Sequence, residues 1–363
     1  MKITYDNQIF GWQRYGGISR IYFELIKNLE TTEEVEINLL GKFYINEYLK
    51  SANLNANKNS IYLNQKFQIP GRALRLINNL LEKKYIDCDI FHETYFTNTK
   101  RSISKNSVRV LSVYDMIHEK FPQNFSKYDP TIQEKKSAVE RADHIICISE
   151  STRKDLLEYH DIDDSKTSVV YLGSDIKLPT EKFEENFLYQ DYILYVGSRD
   201  GHKNFNTFLE AFSVNQDLKK NFNILAFGGG PFNEAENTFI KNNKIKATQI
   251  SGTDSFLSRL YQNATLFIYP STYEGFGIPP LEAMRLACPV ACSNISSIPE
   301  VVGDAAVFFN PYEIDSINSA LLSIIDSDSY RDILINKGLL QSQKFSWNKS
   351  SMDTYDIYKE LLK

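Results

Sequence analysis

Glu274 and Glu282 stand eight positions apart in STYEGFGIPPLEAM (Ser271–Met284), with Gly275, Gly277 and the pair Pro279-Pro280 between them. Two carboxylates need not be an acid and a base, because each is also a bidentate acceptor for vicinal hydroxyls, the groups that sugars and riboses present. LFIYPS, just ahead, reads as a strand, and the proline pair suits the first turn of a helix, where a backbone N–H would be unsatisfied in any case. Glu274 then falls in a loop and Glu282 inside a helix. Glycines on both sides of Phe276 permit close backbone approach, so the N–H groups there can face the oxygens of a polar, anionic ligand.

E-G-F-G-x-P-x-L-E-A with a Glu-x7-Glu spacing resembles the signature of retaining family-4 glycosyltransferases of the GT-B fold, and other segments along essentially the whole chain are similar to that family in the same order. The resemblance implies an α/β architecture of two Rossmann-like, doubly wound parallel-sheet domains facing across a cleft. It also implies transfer of a hexose from a nucleotide sugar to a hydroxyl, with retention at the anomeric carbon. YVGSRDGHKN (Tyr195–Asn204) would be the donor-phosphate segment. There the guanidinium of Arg199 would fork onto phosphate oxygens and the ammonium of Lys203 would add a mobile point charge. Glu282 would hold the ribose, while Glu274 and the N–H groups of Gly275, Phe276, Gly277 and Ile278 would position the transferred sugar. Gly228 and Gly229 of AFGGGP would lie beside the nucleotide, Ile250–Gly252 would read the edge of its base, and Leu257 would cover the base's face. A dinucleotide fingerprint is not supported in AFGGGP, since a proline follows the glycines and no third glycine stands at fingerprint spacing.

In the amino-terminal half, Gly16 and Gly17 of RYGGISRIYFEL look like the family's glycine loop, a helix start against which a phosphate or sugar edge would rest. Arg20, one turn in, is an acceptor-side candidate. SVYDMIHEKFP aligns with a segment in which many relatives place histidine immediately before aspartate; here Tyr114 precedes Asp115, and His118 follows three residues later. Asp115 would orient an acceptor hydroxyl or act as a base. His118 either faces the site or satisfies a local hydrogen bond. His92 and Tyr114 complete the acceptor-side candidates, with a packed, locally bonded residue as the alternative reading of His92.

No metal or cofactor is expected. D-x-D pairs occur at Asp87/Asp89, Asp161/Asp163 and Asp326/Asp328, but short matches of this kind arise by chance in an acidic chain, and Arg199 with Lys203 would replace the divalent ion. Likeness to bacterial mannosyltransferases favours GDP-mannose over a UDP-sugar as donor. The acceptor would be a saccharide or lipid-linked saccharide of surface-polysaccharide (O-antigen) biosynthesis. Two other classes remain open: a sugar-nucleotide epimerase or phosphorylase of the same fold, and a nucleotide-sugar-binding protein without catalysis.

The elements that must position these residues are legible as alternating strands and helices. MKITYD, VEINLLG, CDIFHE, VRVLSVYD and HIICIS read as strands, with GGISRIYFELIKNLE and a serine-capped ESTRKDLLEYH as helices. After the polar IKLPTEKFEENFLYQ, expected to be a linker, the grammar repeats from YILYVGS to AAVFFN. Two domains follow, 1–178 and 190–346, and the resemblance further implies that a terminal helix of about 347–363 crosses back to the first. Its apolar face is expected to comprise Met352, Tyr355, Ile357, Tyr358, Leu361 and Leu362.

A length of 363 residues exceeds one typical core and suits two. The net charge of −5 gives no electrostatic case for nucleic-acid binding, and Cys88, Cys147, Cys288 and Cys292 lack zinc-site spacing. With no charged-then-apolar leader and no long apolar run, the expectation is a cytoplasmic protein. GRALRLINNLLEKKY carries Ala73, Leu74, Leu76, Ile77, Leu80 and Leu81 beside Arg72, Arg75, Lys83 and Lys84. Such a helix either packs on the first sheet or lies on an anionic membrane surface at the inner face of the cytoplasmic membrane.

Overall fold

The computed structural model describes all residues except 53, 65–70, 82–84, 175 and 179–190. The expected linker, Lys83 and Lys84 therefore lie largely or wholly outside the described residues. The chain divides into two units, Met1–Gly173 with Trp347–Lys363, and Ser174–Ser346.

In the first unit the strands are β1 (Lys2–Tyr5), β2 (Glu36–Leu39), β3 (Ile90–Glu93), β4 (Val108–Val113), β5 (His144–Cys147) and β6 (Thr167–Val169). They form one parallel sheet in the order β6-β5-β4-β3-β1-β2. Every residue of β3 and β5 is buried, as expected for parallel strands covered on both faces. In the second unit, β7 (Tyr192–Val196), β8 (Asn223–Phe227), β9 (Ala247–Ile250), β10 (Leu266–Tyr269), β11 (Val290–Ser293) and β12 (Val307–Phe309) form a parallel sheet in the order β9-β8-β7-β10-β11-β12. Strand order thus reverses between β1 and β3 in one unit and between β7 and β10 in the other. Ligands of doubly wound sheets collect beyond the carboxyl ends of strands at such points.

The helices that frame these places are α1 (Gly17–Leu29), α2 (Gly71–Leu81), α3 (Thr131–Arg141), α4 (Glu150–Tyr159), α5 (Phe205–Val214), α6 (Glu234–Asn242), α7 (Asp254–Asn263), α8 (Ile278–Arg285) and α9 (Trp347–Leu361). Ser149 caps α4 by accepting from the N–H of Thr152, and Asn233 with Glu236 forms a reciprocal capping box on α6. Gly277, at φ +113°, turns the chain into α8, whose first turn carries the proline pair.

α9 packs against α1 within the first unit. Its buried stripe is Trp347, Ser350, Ser351, Thr354 and Tyr358. This corrects the expected apolar face: of its six residues only Tyr358 is fully buried, and Leu362 is exposed. Small hydroxylic side chains allow close helix approach, and the polar groups of Tyr358 are satisfied from below. In α2, Leu74 and Asn78 face inward, whereas Leu76, Ile77, Leu80 and Leu81 are exposed. Among the described residues no helix is long and apolar enough to cross a membrane.

Candidate active site

The reversal between β7 and β10 brings together the loops that carry Lys203 and Glu274. Lys203 ends a short 3-10 turn, Gly201–Lys203, and Asn204 follows in the left-handed region at φ 57°. The Asn204 amide donates to the carbonyls of Pro270 (3.1 Å) and Pro311 (2.8 Å), and the N–H of Thr272 donates to the carbonyl of His202 (2.7 Å). The loops after β7 and β10 are thereby fastened to each other, and Lys203 Nζ lies 2.7 Å from Glu274 Oε1. Burial raises the Glu274 pKa, but the charge and hydrogen bond of Lys203, with hydrogen bonds from Ser271 and Tyr269, outweigh it and hold the carboxyl below its usual value. The hydroxyls of Ser296 and Ser297 donate to the carbonyl of Glu274, fixing the loop's backbone.

Arg199, in the same loop, has different partners. Its Nε donates to Glu236 at 2.9 Å, both side chains being only 4% exposed. Its remaining nitrogens donate to the carbonyls of Gly228 (3.2 Å), Gly230 (3.0 Å) and Pro231 (2.7 Å). A guanidinium neutralised by a buried carboxylate and engaged by three carbonyls anchors the glycine loop, whereas Lys203 holds a partly exposed ion pair. Gly228, Gly229 and Gly230 all have positive φ, and a Cβ on Gly229 would lie 2.7 Å from Arg199 and 2.8 Å from the carbonyl oxygen of Gly197. The demand at Gly229 thus comes from its backbone conformation and the Gly197 carbonyl as well as from Arg199. Ile250 differs from expectation, since its carbonyl accepts the N–H of Gly228 at 2.9 Å, whereas Leu257 is buried in the hydrophobic core, as the helical spacing of Leu257, Leu260 and Tyr261 implies.

Glu282 is 7% exposed and accepts from Tyr261 at 3.5 Å. Phe276 is buried with its ring 5.9 Å from that of Phe345, so its side chain anchors the Gly275–Ile278 stretch.

In the first unit the reversal between β1 and β3 carries Asp6, which the sequence reading passed over although it directly follows a strand. Asp6 Oδ1 accepts from the N–H (2.9 Å) and hydroxyl of Thr94, and Oδ2 accepts from Gln8 at 2.5 Å. Asp115 accepts from the N–H of Ile117 at 3.1 Å while its carbonyl accepts from Lys135 at 2.9 Å. His118 stacks on Phe125 at 3.9 Å between centroids, and its buried Nδ1 has no hydrogen-bond partner among the described residues. Half-burial and the charge of Lys135 lower the His118 pKa despite nearby carboxylates, so the ring is neutral at pH 7.

Two acceptor-side candidates are corrected. His92 is 1% exposed, bonded through Nδ1 to Tyr358 (2.5 Å) and through Nε2 to Ser112 (2.9 Å), and burial depresses its pKa to about 3. Tyr114 is buried too, its hydroxyl donating to Tyr22 at 2.8 Å. Both belong to a polar network that seats α9. Arg20 is half-buried one turn into α1. Gly17 opens α1, whereas Gly16 answers to Gln13: a Cβ there would lie 2.2 Å from the Gln13 Oε1 that accepts the N–H of Ser19. The chain's own carboxamide thus occupies one donor of the helix start expected to receive a phosphate or sugar.

In each D-x-D pair at least one carboxylate has a local partner: Asp87 pairs with Lys2, Asp163 accepts from the N–H of Ser165, and Asp328 pairs with Arg331. Among the described residues no three histidine, cysteine, aspartate or glutamate side chains cluster as metal ligands.

Residues 15–178 match the family described as Glycosyltransferase Family 4, and residues 179–341 match that described as Glycosyl transferases group 1. The chain belongs to the family-4 glycosyltransferases of the GT-B fold. It is 34% identical over 181 residues to O-antigen chain mannosyltransferase B of Escherichia coli, covering 48% of this chain and 47% of that protein. It is 30% identical over 258 residues to the serotype-specific mannosyltransferase WbdA of Escherichia coli, covering 64% of this chain and 31% of that protein. The match therefore spans less than half the length of these curated relatives. Among solved structures, Anabaena HepE in complex with UDP and glucose is similar in fold, with a TM-score of 0.72 at 16% identity, covering 99% of this chain and 100% of that one. WaaG, a glycosyltransferase involved in lipopolysaccharide biosynthesis, gives a TM-score of 0.70 at 15% identity, covering 98% and 99%.

Proposed function

We propose that the chain moves a hexose, mannose in preference, from a nucleotide sugar to a hydroxyl of a saccharide or lipid-linked saccharide in surface-polysaccharide biosynthesis, with retention and without a metal ion. The observation that carries this reading is the Lys203–Glu274 pair, 2.7 Å apart at the strand-order reversal between β7 and β10. An ammonium and a carboxylate there suit the two ends of one substrate, a diphosphate and a sugar ring. Lys203, rather than Arg199, would turn onto the departing diphosphate, leaving Glu274 and the Gly275–Ile278 backbone to the sugar hydroxyls. Glu282 would hold the ribose. The acceptor oxygen bonds to the anomeric carbon on the leaving-group face as the bond from that carbon to the diphosphate oxygen breaks, and the acceptor proton passes to the diphosphate. Asp115 and neutral His118 would orient the acceptor.

Relatives named as mannosyltransferases support mannose, and GDP-mannose is the favoured donor, although the structural neighbour HepE is described with UDP. A thermal-shift panel of GDP, UDP, ADP and dTDP tests this. GDP is expected to give the largest rise, about 2.7 kcal/mol at 100 times its Kd, and Lys203→Ala to diminish it. No rise with any nucleotide overturns the reading. Turnover is expected to survive EDTA; loss restored by Mn²⁺ or Mg²⁺ would replace the ammonium with an ion. The exposed Leu76, Ile77, Leu80 and Leu81 of α2 favour contact with the inner face of the cytoplasmic membrane carrying a lipid-linked acceptor. Equal flotation of wild type and a Leu76→Ser/Leu80→Ser variant with anionic vesicles would dismiss that contact.

A further inference from the structure

Beside the edge strand β2, within the first unit, lies a cavity of about 660 Å³ that none of the residues discussed above as donor- or acceptor-side candidates lines. Its size falls within the roughly 300–1,000 Å³ typical of small-molecule sites. Its lining includes the exposed residues Asn38 and Asn59, together with Lys42 and Ser60. Tyr85, which is 57% exposed, also lines it, and Leu40 is among the apolar lining residues.

The lining is held by hydrogen bonds to backbone carbonyls. The N–H of Ile61 donates to the carbonyl of Lys42 at 2.7 Å, Lys42 Nζ donates to the carbonyl of Asn59 at 3.1 Å, and Ser60 donates to the carbonyl of Gly41 at 2.8 Å. On the Tyr85 side, Tyr85–Ile86 pairs in parallel with Ser102–Ile103. The cavity is therefore preformed rather than a gap between loose loops.

We infer that this cavity is a second saccharide site, which grips a neutral hexose chain away from the reacting end. The inference rests on the reading of the protein as acting on a growing saccharide. A carboxamide offers a donor and an acceptor side by side and so matches a pair of vicinal hydroxyls, and two of them lining one cavity suit a ligand with more than one such pair. An exposed tyrosine ring offers an apolar face to the C–H side of a pyranose while its hydroxyl stays wet. A phospholipid headgroup fits less well, because the Lys2 ammonium at the cavity is already paired with Asp87 at 3.1 Å and Lys42 is tied to a carbonyl. Such a grip would raise the local concentration of long acceptors near the enzyme.

The test is calorimetric titration of the full chain with a mannose tetrasaccharide and, in parallel, a glucose tetrasaccharide. Wild type is expected to bind at least one of them, and Asn38→Ala/Asn59→Ala/Tyr85→Ala to weaken that binding at least tenfold without change in melting temperature. Lys203→Ala should leave the titration unchanged. With the tetrasaccharide as acceptor the triple variant should show a KM raised about tenfold, while the KM for methyl mannoside stays put. No heat from either sugar, equal affinity in the triple variant, or binding only of phosphatidylglycerol vesicles overturns the inference. The proposed transfer fails separately, by the absence of any nucleotide-induced stabilisation, and the sugar titration is read independently of that result.

Discussion

Arg199 and Lys203 sit four residues apart in one loop, yet their surroundings assign them opposite sensitivities. Replacing Arg199 by alanine would leave Glu236 charged, buried and alone, and would release three loop carbonyls. The expected cost is about 3–5 kcal/mol of stability, read by denaturant melts. Lys203→Ala should melt within about 1 kcal/mol of wild type, because its ion pair is partly exposed, while kcat/KM for transfer falls by a few kcal/mol of transition-state stabilisation. A stable Arg199→Ala protein that has lost only turnover would reverse these assignments. The two roles could not be told apart in the sequence, where both are cations following a strand. The partner that removes Arg199 from solvent, Glu236, is 37 positions away on α6, and nothing in its spacing points back to the loop. Glu274 and Lys203 were readable as chemistry because glycines, prolines and carboxylates recur there at a specific spacing, and the Asn204 amide that fastens their loops was not, since it acts through backbone carbonyls.

At the scale of elements, strands were legible because buried parallel strands are nearly continuous runs of apolar residues, as in LFIY of β10. α3 escaped notice for the opposite reason. Its buried residues include Glu134 and Lys135, the latter paired with Glu119 at 2.8 Å, so no apolar stripe announces the helix. The same cause misplaced the buried face of α9, where serines and a threonine do the packing against α1. This gives a prediction that periodicity alone would not: Ser351→Leu, an apolar gain on a helix, should destabilise the first unit by about 1–3 kcal/mol through overpacking, whereas Leu362→Ser at an exposed position should be nearly neutral. Thermal melts of the two variants decide it, and a stabilised Ser351→Leu protein would mean that α9 does not sit as described.

For the whole molecule, the histidines set a direction for acid sensitivity. His92 is held neutral by burial, with its pKa depressed to about 3, and His118, His144 and His160 are lowered for the same first reason. The unfolded chain takes up these protons near pH 6.5 and the folded chain resists them, so stability is full above that pH and declines as pH falls toward the folded values. Between pH 6.5 and 5 the slope of unfolding free energy against pH should be reduced in His92→Gln by up to about 1.4 kcal/mol per pH unit; an unchanged slope would place His92 in contact with water. The seat that α9 takes beside His92 also bears on synthesis. Residues 1–173 leave the ribosome early, but the helix that completes their core is encoded after the entire second unit. At translation rates of roughly 5–20 residues per second, Tyr22, His92 and their neighbours wait on the order of ten seconds or more without their cover. The later-made half can finish folding first, and the earlier-made half is the one that a nascent-chain chaperone has reason to hold.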